Sequence, residues 1–98
     1  MTNVNANVST NETSQKETLA LYYFPGCPFC TMVTSVIQRL GVDIELRNIN
    51  QVAEYREELL NARGRGTVPV LKIISAYNEQ QWMPESSDIV NYLQQKFA

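Results

Sequence analysis

The sequence predicts an α/β fold: a mixed four-stranded sheet flanked by three helices, in the order β-α-β-α-β-β-α. Three observations carry this. An apolar run, Leu19 to Phe24, breaks at Pro25-Gly26 and gives way to helical periodicity from Pro28 onward. The strand that follows closes a βαβ unit, whose right-handed crossover makes its two strands parallel. The last two strands are separated only by a short turn, Tyr77-Asn78-Glu79, which suits an antiparallel hairpin.

Leu19 to Phe24 is almost wholly apolar and aromatic, as a strand buried on both faces requires. Pro28 to Leu40 places Phe29, Val33, Val36, Ile37 and Leu40 on one helical stripe, and Gly41 supplies the stop. Val42 to Arg47 alternates Val42, Ile44 and Leu46 with Asp43, Glu45 and Arg47, a half-buried strand. Gln51 to Ala62 is a second amphipathic helix with Val52, Tyr55, Leu59 and Leu60 inward, ended by Gly64 and Gly66. Val68 to Ile74 is another apolar strand, and Gln80 to Met83 a short one that Pro84 interrupts. Ser86 to Phe97 closes the chain as a helix with Ile89, Val90, Leu93 and Phe97 on its apolar face. Residues 1–17, rich in Asn, Thr, Ser and Val without periodicity, read as a disordered polar tail, and the folded domain as residues 18–98.

Composition narrows the function. A hydrophobic fraction of 44% supports one small core. A net charge of −2 with no Lys/Arg cluster argues against nucleic acid as a partner. No apolar run has the length of a membrane span, and no basic, apolar leader opens the chain, so a cytoplasmic protein is expected. Histidine is absent, which removes every Cys–His or Ser–His mechanism. With only two cysteines, a four-ligand zinc site is not expected either.

Those two cysteines stand together in Cys27-Pro28-Phe29-Cys30, between a strand and a helix. A Cys-x-x-Cys there reads as a thiol–disulfide redox site. Pro28, without an N–H and with a fixed φ, suits the first helical position. Cys27 then meets the unpaired N–H groups and positive dipole end of the helix, which favour a thiolate. Cys30, one turn in, is more shielded. The pair is therefore asymmetric: Cys27 attacks and Cys30 resolves. Two buried structural cysteines are the plainer reading, but that does not explain why both frame a proline at one helix start.

Three further stretches bear on ligands. Pro69, in Thr67-Val68-Pro69, opens an apolar strand, where its missing N–H does least harm. Its bond to Val68 reads as trans from spacing alone; a cis bond would turn the Val68 backbone toward a peptide-like ligand. Glu85-Ser86-Ser87-Asp88 opens the last helix, where small hydroxyls and an acid ordinarily cap. The same N–H groups could hold an α-carboxylate while Asp88 holds an α-ammonium. Arg63-Gly64-Arg65-Gly66 could hold a second carboxylate, although a solvated charge pair is the commoner use. Tyr22, Tyr23 and Trp82 read as packing residues, and Phe29 as partly exposed.

Taken together, Cys27-Pro28-Phe29-Cys30, Thr67-Val68-Pro69 and Ser86-Ser87-Asp88, in this order and spacing, resemble a glutaredoxin of the dithiol class from Thr18 to Phe97. The resemblance implies a thioredoxin fold with a cis proline at Pro69 facing the cysteines. It implies glutathione as co-substrate, with no metal, and glutathionylated or disulfide-bonded proteins as partners of a monomeric enzyme. It places Phe29, Arg65, Thr67, Val68, Pro69, Ser86, Ser87 and Asp88 around glutathione. The Val68 backbone would pair with the cysteinyl part, Ser87 and Asp88 with the γ-glutamyl end, and Arg65 with the glycyl carboxylate. The chain departs from that family at three places: Phe24 stands where a lysine is usual, Phe29 where a tyrosine is, and Pro84-Glu85 where Gly-Gly is. Met83-Pro84-Glu85-Ser86-Ser87-Asp88-Ile89 instead resembles the N-terminal domain of glutathione transferases, which leaves open whether Ser86 or Ser87 makes the main γ-glutamyl contact. A complete transferase is not expected, for no helical domain follows Ala98. A thioredoxin-like protein disulfide reductase served by a flavin reductase, and a glutathione and iron–sulfur binding module, are the rival functions.

Overall fold

Strand β1 (Thr18–Tyr23) organises the sheet, because its side chains are buried on both sides. Leu19 and Leu21 face one way, into a cluster with Val33, Val36, Ile37, Leu71, Ile73, Ile89 and Leu93. Tyr22 faces the other way, against Ile49, Leu59 and Val70. This alternation follows the twofold period of a strand. A computed structural model describes residues 17–98; the polar tail read over residues 1–17 lies outside the described residues apart from Glu17.

The remaining elements are α1 (Pro28–Leu40), β2 (Glu45–Asn48), α2 (Ala53–Arg63), β3 (Val70–Ile74), β4 (Gln80–Pro84) and α3 (Ser86–Phe97). The strands run β2-β1-β3-β4 across the sheet. β1 and β2 are parallel, with Leu21 beside Leu46, and β1–β3 and β3–β4 are antiparallel. Helices α1 and α3 share the Leu21 face, and α2 covers the Tyr22 face. The expected mixed sheet with three flanking helices is the fold observed.

Helix α1 begins and ends where its sequence dictates. Pro28 occupies its first turn, and Gly41, at φ 67°, donates its N–H to the carbonyls of Ile37 and Gln38. That left-handed cap costs a glycine little and any other residue more. Three expectations need correction. β2 starts at Glu45 rather than Val42, because the Val42 N–H is still tied back to the Ile37 carbonyl. Leu46 is 45% exposed, since β2 is an edge strand. On α2 only Leu59 is buried, while Leu60 is 42% exposed.

Candidate active site

The turn Phe24-Pro25-Gly26 carries the chain from β1 into α1 and leaves Cys27 at the helix cap. Gly26 takes φ 90°, and the Cys27 N–H reaches back to the Phe24 carbonyl at 3.4 Å. Cys27 itself is extended (φ −83°, ψ 118°), and its Sγ accepts a hydrogen bond from the Cys30 N–H at 3.4 Å. The sulfur stands where a serine or aspartate oxygen usually caps a helix. Its carbonyl accepts from the Thr31 N–H at 2.9 Å and from Thr31 Oγ1 at 3.1 Å, which fixes the cap further.

The two thiols differ in surroundings. Both are unbridged and buried, Cys27 with 8% of its surface exposed and Cys30 with 1%. Burial, and next its hydrogen bond with Cys27, push the Cys30 thiol up to about 12, against an opposing backbone hydrogen bond at Phe24. Cys30 is therefore a neutral thiol at pH 7.

Beside the pair lies a pocket of about 180 Å³. Phe29, 60% exposed and set between the two cysteines in the chain, lines it, whereas Cys27 and Cys30 do not. Thr67, Val68 and Pro69 form one wall, Arg63 and Arg65 a second, and Pro84, Glu85 and Ser86 a third. The Val68–Pro69 bond is cis, as the resemblance implied and spacing alone did not. Val68 precedes β3, and its N–H and carbonyl make no backbone hydrogen bond among the described residues. Val68 is half-buried, so these unpaired backbone groups are available to a ligand.

Of the residues read from the sequence, Phe29, Arg65, Thr67, Val68, Pro69 and Ser86 therefore meet at one pocket. Ser87 and Asp88 do not line it and stand exposed on the first turn of α3. Each helical residue is rotated by about 100° from the last, so only the leading residues of α3 can face the pocket. Three lining residues, Arg63, Pro84 and Glu85, were missing from the glutathione set. Arg63 was read with Arg65 as able to hold a carboxylate, but only Arg65 entered the glutathione set; the Arg63 Nε is buried without a partner among the described residues. Glu85 holds φ 75°, ψ 114° and caps α3 without a side-chain hydrogen bond. A non-glycine residue in that region is strained, and such strain gathers at ligand sites. Its one signal in the sequence was the Pro84-Glu85-Ser86 run. No group of three or more His, Cys, Asp or Glu that could hold a metal occurs among the described residues.

The family model for the glutathione S-transferase N-terminal domain matches residues 21–98. Leishmania TDR1, described as a unique trimeric glutathione transferase, is similar with a TM-score of 0.67 and 30% identity, over 83% of this chain and 18% of its own. The maleylacetoacetate isomerase of Anaeromyxobacter dehalogenans, solved with dicarboxyethyl glutathione and citrate in its active site, gives 0.65 at 21% identity, over 84% of this chain and 38% of its own. A thioredoxin-like protein gives 0.61 at 21% identity, over 83% of this chain and 100% of its own. The last two likenesses concern the fold alone. This chain spans well under half the length of the transferase and the isomerase. A search of curated proteins finds no match. The glutaredoxin resemblance holds as far as the thioredoxin-like fold, and the matching family model is the one that the run from Met83 to Ile89 resembled. The chain belongs to the glutathione S-transferase N-terminal domain family and has its thioredoxin-like fold.

Proposed function

We propose that this chain is a glutathione-dependent thiol–disulfide oxidoreductase, a glutaredoxin activity carried on a transferase-type domain. The observation that supports it most is the Cys27 sulfur at the cap of α1, receiving the Cys30 N–H, next to a pocket walled by two arginines and an unpaired peptide segment. A helix N-terminus and an N–H donor both favour negative charge on that sulfur.

The Cys27 thiolate attacks the glutathione sulfur of a protein–glutathione mixed disulfide. A new S–S bond forms as the old one breaks, and the protein thiolate leaves and takes up a proton. The thiolate of a second glutathione then attacks the glutathione sulfur on Cys27, releasing glutathione disulfide and regenerating the Cys27 thiolate. Arg63 and Arg65 would hold the glycyl carboxylate, and the Val68 backbone the cysteinyl peptide. The leading N–H groups of α3 would take the γ-glutamyl carboxylate and Glu85 its ammonium; Ser86 rather than Ser87 is on that wall. On protein disulfides Cys30 resolves. Once Cys27 is in a disulfide it can no longer hold the Cys30 proton by hydrogen bonding or charge, and burial alone remains to oppose ionisation.

Replacing each cysteine tests this. Cys27→Ser should lose deglutathionylation of a model peptide, and Cys30→Ser should retain it. Full activity in Cys27→Ser defeats the proposal. Family membership and the strained Glu85 also favour a second reading, conjugation of glutathione to an electrophile. Conjugation does not need the Cys27 sulfur, so conjugating activity that survives in Cys27→Ser would support it.

A further inference from the structure

Helix α2 carries Arg63 yet buries fewer residues than either of the other two helices. It buries one residue, Leu59, and its N-cap, Val52, makes no side-chain hydrogen bond. Its backbone also stands further from its neighbours than α1 and α3 stand from each other. A segment with so little apolar burial opens easily unless other contacts hold it.

A polar cluster does hold it. Tyr22, 0% exposed at the centre of the sheet, donates its hydroxyl hydrogen to Glu58 Oε1 on α2 at 2.6 Å. Arg47 Nη1, on β2, donates to the Tyr22 hydroxyl at 2.6 Å and to Glu58 Oε1 at 3.1 Å, while Nη2 donates to Glu45 Oε1 at 2.9 Å. The Arg47 guanidinium also lies over the rings of Tyr22 and Tyr55, 5.4 and 5.5 Å from their centroids. Tyr55, on α2, meets Tyr22 edge to face at 6.4 Å. Three elements thus close on one hydroxyl. Burial and the Glu58 hydrogen bond keep that hydroxyl protonated, up to about 12, so it remains a donor at neutral pH. The same Tyr22 belongs to the cluster that Val68 packs against, so α2 and the peptide wall of the pocket share one support.

We infer that the Tyr22–Glu58–Arg47 cluster is a positioning device for the arginine wall of the pocket, fixing where α2 ends and hence where Arg63 and Arg65 stand. None of the three lines the pocket. The part of this that concerns ligand affinity rests on the glutathione reading above; the part that concerns α2 does not. Isolated exposed ion pairs contribute little to stability, so the buried Tyr22 hydroxyl is the central member and the charges fix its direction.

The test uses the full chain and the variants Tyr22→Phe and Glu58→Ala, with Glu58→Gln as the conservative rescue. Tyr22→Phe keeps the ring, and Glu58 is on the surface, so both variants should fold. Three readouts are taken: amide hydrogen exchange by segment, the rate of Arg63 and Arg65 modification by phenylglyoxal, and the Kd for glutathione. Losing one such hydrogen bond should speed exchange in α2, and arginine modification, roughly fivefold, with β1 and α1 changed less than about twofold. Glutathione should bind roughly fivefold more weakly while Cys27 alkylation keeps its rate. Glu58→Gln should restore most of each. Unchanged α2 exchange, unchanged arginine modification, or exchange quickened equally in every segment overturns the inference. If the unaltered protein binds no glutathione, the functional reading fails, and exchange and arginine modification still decide the role of the cluster.

Discussion

The Cys30 N–H donates to the Cys27 sulfur across 3.4 Å, so the two cysteines are joined by a hydrogen bond while both are thiols. That contact places positive dipole on the Cys27 sulfur. Burial, and next a separate side-chain hydrogen bond with Cys27, keep the proton on the Cys30 thiol. At pH 7, one equivalent of iodoacetamide should label Cys27, with label on Cys30 appearing only after unfolding. Peptide mapping of the alkylated protein checks this, and equal labelling of both in the native state contradicts it.

Stability should fall at alkaline pH for stated reasons. The Cys30 thiol rises from 9.0 to about 12, and the Tyr22 hydroxyl from 10.0 to about 12, each chiefly by burial. A group whose folded pKa lies above its unfolded value stabilises the fold fully below the unfolded value and loses that contribution as pH climbs to the folded value. The loss therefore begins near pH 9 with Cys30 and near pH 10 with Tyr22. Urea midpoints measured from pH 7 to 11 should drop across that window. In Cys30→Ser the drop should start later, and in Tyr22→Phe the part above pH 10 should shrink. A midpoint flat to pH 11 contradicts both assignments.

Glu85 should show a conflict between stability and binding. Its φ of 75° suits glycine, and relief of such strain contributes roughly 1–3 kcal/mol. Glu85→Gly should raise the Tm while weakening glutathione binding, because a side chain on the pocket wall is lost. A Tm that falls, with affinity unchanged, would show the residue to be neither strained nor in contact with ligand.

The single buried residue of α2 makes a sharp contrast with its neighbour. Leu59→Ala should cost about 2–5 kcal/mol, whereas Leu60→Ala, at a site 42% exposed, should cost well below that. Chemical denaturation of both variants gives the comparison. Equal costs would mean that α2 sits differently on the sheet.

What was legible in the sequence was local. Pro28 and Gly41 fixed α1 to the residue because a missing N–H and a left-handed cap act where they stand. The start of α3 at Ser86 followed from Pro84 for the same reason. The pocket was half legible: Phe29, Arg65, Thr67, Val68, Pro69 and Ser86 converge, whereas Ser87 and Asp88 turn away with the helix. Glu85 was not legible as a strained residue, for nothing in glutamate's own preferences announces a positive φ. The hydrogen bond from Tyr22 to Glu58 spans 36 residues, and only the folded sheet brings them together. Leu46 and Leu60 carry the hydrophobic period yet lie exposed, because period identifies a face and not what covers it.

The most direct measurement is the site of glutathionylation in the Cys30→Ser variant after brief exposure to a glutathionylated peptide at pH 7, read by mass spectrometry. The expected result is one glutathione per chain, on Cys27, with release of the free peptide thiol and recovery of unmodified enzyme on adding glutathione. A variant that stays unmodified, with its peptide still glutathionylated, would contradict the proposal that Cys27 is the nucleophile of a glutathione-dependent oxidoreductase.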